Sequence, residues 1–205
     1  MDKHSILGFW FDTAGDKRTD SISDNDINKR QSALWWQKNA VVDTDIRHRF
    51  EPVLKALLRG QFNDWLEDAE GRLAAIIVLD QFSRNMYRNS ALSYTQDSLA
   101  LHWCLEGIRL GHDKQLRPIQ RVFFYMPLEH AESPQMQALC LEKFQQLKAD
   151  SPDSFESAAD GFIDFARRHQ VIVDRFGHFP HRNAILGRES STEEIEFLQQ
   201  PGSGF

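Results

Sequence analysis

A chain of 205 residues is long enough for one domain with a sizeable core, and 41% hydrophobic residues, including 15 Phe, 5 Trp and 3 Tyr, can fill it. That composition excludes a disordered chain. The 24 basic residues are outnumbered by 30 acidic ones for a net charge of -6, which argues against general nucleic-acid binding, because neutralising phosphates needs a basic face.

In chain order, residues 6–11 (ILGFWF) form a compact apolar patch, read as a short helix or anchor docking on the main body. The first twenty residues carry early acids and too short an apolar run for a secretory signal. No later stretch reaches bilayer length, so a cytoplasmic protein with no membrane partner is expected. Residues 12–31 are polar and read as a surface loop. Trp35 and Trp36 follow. Neighbours on a helix diverge by about 100°, so the two cannot share one core layer.

From Thr44 the apolar period is helical, with Ile46, Phe50, Val53, Leu54, Leu57 and Leu58 recurring at three- and four-residue steps, Asp43 or Thr44 as N-cap and Gly60 as stop. Residues 73–87 (LAAIIVLDQFSRNMY) are apolar nearly all round in their first half, as a central helix would be. Further helices are expected over 90–111, from Pro118 to Pro127, from Ser133-Pro134 to about Ala149, and over a long stretch from Phe155 to Phe176. Ser191 with Glu194 forms a capping-box pattern before a last helix. No strand-like alternation persists. The fold class is all-α, one domain over 1–205 with roughly eight to ten helices. Short connections favour antiparallel helical hairpins, and residues 199–205 are expected as a disordered tail.

Four polar clusters sit beside these apolar runs. In DQFSRNMYR, Gln81, Arg84 and Arg88 share one face of a continuing helix, and Asp80 can pair with Arg84. Such groups need partners or a cavity, and an internal ion network is the plainer account. In PLEHAE, read as an interhelix turn, Glu129 and His130 set carboxylate beside imidazole, as acid–base chemistry requires. His169 interrupts the apolar stripe of the long helix. The fourth cluster, DRFGHFPHRNAILGR, gathers Arg175, Arg182, Arg188, Asn183, His178 and His181 among aromatics. His178 and His181 have metal-clip spacing, but Pro180 separates the rings and the arginines repel a cation, so no metal and no cofactor is expected. Cys104 and Cys140 lack ligand spacing and read as buried hydrophobes in a reducing compartment.

Between 167 and 188 there are five arginines and one aspartate, with four glutamates following over 189–196. A guanidinium cluster with histidine and asparagine favours a carboxylate or phosphate. Together, the FWF segment, Trp35-Trp36, LDQFSRNMYR, PLEH, and RFGHFPHRNAILGR with ESSTEEIEFL resemble the bacterial family called domain of unknown function 924, over residues 6–198. The resemblance implies an all-helical, tetratricopeptide-like stack of hairpins and supplies no reaction or substrate. His178 stands where the family's RFGRFPHRN pattern carries arginine.

The expected function is a polar pocket for a small anionic ligand. Arg84, Arg88, Arg175, Arg182 and Arg188 would hold the anion, Gln81 and Asn183 would orient it, and Trp35, Trp36 and His169 would line the site. If the ligand is turned over, His130 or His181 with Glu129 would serve a hydrolytic reaction. The alternative is a tetratricopeptide-like scaffold that binds a protein partner without catalysis. Convergence of these groups in one cavity separates the two.

Overall fold

Apolar period becomes helix throughout, and no strand occurs among the described residues, which in this computed structural model are 1–12 and 22–204. The sequence reading of 12–31 as a loop falls partly outside them and is otherwise corrected. Helix α2 (Asp24–Trp36) occupies most of that stretch beyond 23. Ser23 caps it by accepting the Asp26 N–H, and Asp24 and Asp26 suit the positive end of the helix dipole. Its polar composition hides it, because Ile27 is its one deeply buried residue before the tryptophans.

Helix α1 (Lys3–Phe11) sinks Ile6, Leu7, Trp10 and Phe11 into the core. Helix α3 (Ala40–Leu58) starts earlier than expected. Asn39, and not Asp43 or Thr44, caps it by accepting from the N–H groups of Val41 and Val42, which releases Asp43 for a different partner. Helix α4 (Ala69–Ile77) runs into a π-helical turn, Val78–Phe82, and on into α5 (Ser83–Met86). From Leu73 to Leu79 every side chain is fully buried, so this rod is the axis of the molecule, packed by α1, α3, α6 (Asp97–Leu110) and α7 (Pro118–Glu129).

The single helix expected over 90–111 is two pieces. A 3₁₀ segment, Ala91–Tyr94, is capped by Ser90 and precedes α6, which ends at left-handed Gly111. Pro118 and Ser133-Pro134 open α7 and α8 (Pro134–Asp150). Pro127 does not end α7. The helix continues through Leu128 and Glu129, so PLEH is its buried last turn and His130 its C-cap. Helix α8 forms close hairpins with α7 and with the 21-residue α9 (Glu156–Phe176). After a 3₁₀ turn, Pro180–Arg182, come α10 (Asn183–Leu186) and α11 (Thr192–Leu198), the latter with the expected Ser191/Glu194 capping box.

Of the segment 199–205 expected as a tail, residue 205 lies outside the described residues. Ser203 is buried and its hydroxyl donates to Leu198 O at 3.1 Å, while Gly204 lies against His181. One large core fills the centre, and a separate small one around Ile172, Val173 and Phe179 holds the C-terminal turns. Cys104 and Cys140 are free and buried.

Two helical glycines have opposite surroundings. A Cβ at Gly71 would come within 2.3 Å of Trp65 O, a backbone atom that cannot yield, whereas one at Gly161, in the second turn of α9, would meet nothing within 4 Å among the described residues. We expect Gly71→Ala to destabilise by roughly 1–3 kcal/mol through overpacking. Gly161→Ala should be neutral or stabilising by up to about 1 kcal/mol through helix propensity. Thermal denaturation of the two variants checks both.

Candidate functional site

The π-helical turn is where the axial rod changes from apolar to polar, and a π-bulge inside a helix is frequently found at functional sites. Its Asp80 is fully buried. Gln81 Nε2 donates to Asp80 Oδ2 at 2.6 Å, Arg84 stands 3.5 Å from Oδ1, and His130 Nδ1 lies 2.8 Å from the same oxygen. Burial alone would push this carboxyl up, but Arg84 and His130 overcome it and hold it far below the usual carboxylate range. An ionised Asp80 can only accept, so Nδ1 of His130 carries the proton and Nε2 is the basic nitrogen. Burial, and then the Arg84 charge, lowers the pKa of His130 and keeps the ring neutral.

Beside this pair, Glu129 is buried without a cation. Burial, reinforced by Asp80, pushes its pKa up to about 8, so the carboxyl is protonated at neutral pH. Its Oε1 lies 3.6 Å from His169 Nδ1, but that nitrogen donates to Phe165 O at 2.9 Å, and burial lowers the His169 pKa to about 3. The contact therefore joins two uncharged groups.

The polar groups face a cleft with two lobes, of about 630 and 530 Å³. Both lobes are bordered by Lys38, Arg84, Arg88, His130 and His169, which makes that set the seam between them. The larger lobe is walled by Trp35, Trp36, Gln81, Met126 and Glu129, and by Gly161, Phe162 and Phe165 of α9. Trp35 is buried and donates its indole N–H to Trp10 O at 3.0 Å, while Trp36 is 48% exposed at the rim, the divergence that adjacent helical positions require. The smaller lobe is walled by Ser93, Tyr94, His181, Arg182 and Gly204. Burial, and then Arg182, lowers the His181 pKa to about 4.

The cations are unequally matched. Arg88 pairs with Asp43 through two bonds of 2.6 and 2.7 Å, and Asn85 adds a third at 2.8 Å. Arg84 holds Asp97 through bonds of 2.9 and 3.1 Å. Arg182, only 6% exposed, reaches Asp97 Oδ2 at 3.6 Å, beyond hydrogen-bond range, and its buried Nε finds no partner among the described residues. Its guanidinium lies over the rings of Tyr94 at 4.8 Å and Phe179 at 4.6 Å. Burial, and then Arg84, lowers the Arg182 pKa, the mark of an undercompensated cation.

The sequence-derived candidates divide accordingly. Trp35, Trp36, Gln81, Arg84, Arg88, Glu129, His130, His169, His181 and Arg182 border the cleft. Arg175, Asn183 and Arg188 do not, because acidic neighbours take them. Arg175 donates to Glu193 at 2.8 Å on the surface. Asn183 is buried against Ser190 and Glu194. Arg188 forks onto Glu132 at 2.7 and 2.9 Å, and Glu132 also accepts the Phe179 N–H. His178 lies 2.6 Å from Glu194 and does not border the lobe that His181 lines. Among the described residues no three His, Cys, Asp or Glu side chains are grouped to hold a metal ion, and no helix is long and apolar enough to cross a membrane. Lys38, Tyr94, Asp97 and Gly161 were not singled out from sequence; Asp80 was, but only as a partner for Arg84.

An all-α chain with a charged cleft at the broken end of its central helix is the class these features define. The model of the family described as bacterial protein of unknown function (DUF924) matches residues 6–202, and the chain belongs to that family. It is also similar to the solved structure of a protein of unknown function, ATU0120 from Agrobacterium tumefaciens, with 35% identity, a TM-score of 0.77 and 96% of each chain covered. A comparison with curated proteins finds no match.

The shared Asp97 sets up a stability contrast. Arg84→Ala strands the buried Asp80 and deprives Asp97 of its fork, and should cost roughly 3–5 kcal/mol. Arg182→Ala leaves Asp97 held by Arg84 and loses two ring contacts, so denaturant melts should show at most about 2 kcal/mol. Stability should also depend on pH in both directions. Keeping Glu129 neutral contributes fully below 4.5, its ordinary pKa, and that contribution drains as pH rises toward about 8. Keeping His169 and His181 neutral contributes above 6.5 and drains as pH falls toward about 3 and 4. We expect a maximum near pH 6.5, with about 2 kcal/mol lost between there and pH 8. Glu129→Gln should flatten that alkaline limb in melts across pH.

Proposed function

We propose that the cleft is a small-molecule site that binds an anion and carries an acid–base pair suited to hydrolysis. The observation that carries this reading is His130. It is fixed by Asp80 at 2.8 Å and borders both lobes beside Lys38, Arg84 and Arg88. A buried imidazole whose Nδ1 proton is committed to a carboxylate has a defined tautomer, and its Nε2 can take a proton from water while Asp80 stabilises the imidazolium. Glu129, protonated at neutral pH, can give a proton to the leaving group. Return of the proton from His130 to Glu129 resets both. His181 stays neutral in the second lobe and serves as a hydrogen-bonding group there. The cationic border supplies the preference for anions.

A thermal-shift panel of carboxylates and phosphates tests binding. A true ligand at a hundred times its dissociation constant adds about 2.7 kcal/mol, and Arg182→Ala should abolish that gain. If no member shifts the wild-type protein, the reading fails. Ester and amide derivatives of a binding anion then test turnover. His130→Gln should keep the shift and lose hydrolysis; binding without turnover of any derivative would remove the acid–base half.

A further inference from the structure

The two lobes differ in chemistry, and that difference constrains the ligand. The larger one has an aromatic wall of Trp36, Phe162 and Phe165, of which Trp36 is 48% exposed. Large aromatics half in water cost free energy unless something covers them. Gly161 stands on the same wall, in the second turn of a 21-residue helix. A glycine inside a helix often makes room for another backbone or side chain, but a Cβ here would meet nothing within 4 Å among the described residues. Its missing side chain enlarges the cleft and accommodates no other part of the protein.

The smaller lobe presents Arg182, whose guanidinium lies over the rings of Tyr94 and Phe179. Rings on the guanidinium leave its edge as the route for a partner, and an edge approached in plane matches a planar carboxylate with two parallel bonds. Asp97 does not fill that role, standing at 3.6 Å and already forked by Arg84. The charge balance agrees. Lys38, Arg84, Arg88 and Arg182 bring four positive charges to the cleft, and Asp43, Asp80 and Asp97 bring three negative ones, Asp43 on Arg88 and the other two on Arg84. Lys38 has no ion pair among the described residues. With Glu129 protonated, one positive charge is unanswered, which one carboxylate neutralises and a phosphate dianion would overshoot.

We propose that the ligand is an aromatic monocarboxylate, its ring against Trp36, Phe162 and Phe165 and its carboxylate on the edge of Arg182, with the bond to be acted on crossing the seam at His130. This rests on the reading of the cleft as an anion site and adds its chemical class.

Isothermal titration with phenylacetate, acetate, inorganic phosphate and phenylacetamide tests it. Phenylacetate should bind at least tenfold more tightly than the other three. Gly161→Leu, which adds a side chain in open space and should fold normally, ought to erase the advantage of phenylacetate over acetate without changing acetate binding. Acetate or phosphate binding as tightly as phenylacetate, or an advantage that survives Gly161→Leu, would overturn the aromatic assignment and leave the anion site standing. Phenylacetamide matching phenylacetate would overturn the carboxylate. Silence from every anion would overturn the anion site itself.

Discussion

A buried carboxylate, Asp80, is the constraint around which the polar half of the molecule is arranged. An ionised group with no solvent contact is tolerable only if its lone pairs are met, and here a neighbouring amide, a guanidinium one helical turn on and an imidazole from another helix meet them. Each of those groups is thereby committed. Arg84 must stay close and in turn fixes Asp97, which brings the start of α6 to the cleft. His130 must turn its Nδ1 inward, which settles its tautomer. The last turn of α7 has to reach the π-turn of the axial rod, and Glu129 is carried into the interior with it.

The rod explains how such a cluster can exist in a chain of ordinary size. From Leu73 to Leu79 it is sealed by apolar neighbours on all sides, so the fold is secured by burial well away from the charges. Polar residues at its C-terminal end can then serve each other and the cleft. An internal ion network and an open cleft, which looked like competing accounts of DQFSRNMYR, coexist because the network is lopsided. Asp97 is forked by Arg84 and only approached by Arg182.

What could be seen in the sequence followed the periodicity. The apolar stripes of α3, α7, α8 and α9 showed the helices, and the prolines and serines at their starts showed several boundaries. Helix α2 was missed because capping and dipole chemistry, with a single buried isoleucine, sustain a segment that lacks a stripe. The clustered arginines of DRFGHFPHRNAILGR suggested one shared pocket, but three-dimensional neighbours decide the partner of each. Glu132 and Glu193 take Arg188 and Arg175, leaving Arg182 to face the cleft. Asp97 could not have been picked out from the sequence, since a first-turn aspartate is ordinary helix chemistry. The π-turn was equally hidden, because its side chains are those of a regular helix.

The C-terminal turns that carry Arg182 and His181 are packed on their own small cluster of Ile172, Val173 and Phe179 and tied to the rest by Glu132 and Asp97. They bury less apolar surface than the main body, so they are expected to open at a lower free energy than the central rod. The cleft is thus a seam between a firm part and a loose part of one chain, and a molecule gripped from both sides would act as a clasp. Its binding strength would be read partly as slower opening of that seam, measurable as hydrogen exchange confined to the last thirty or so residues.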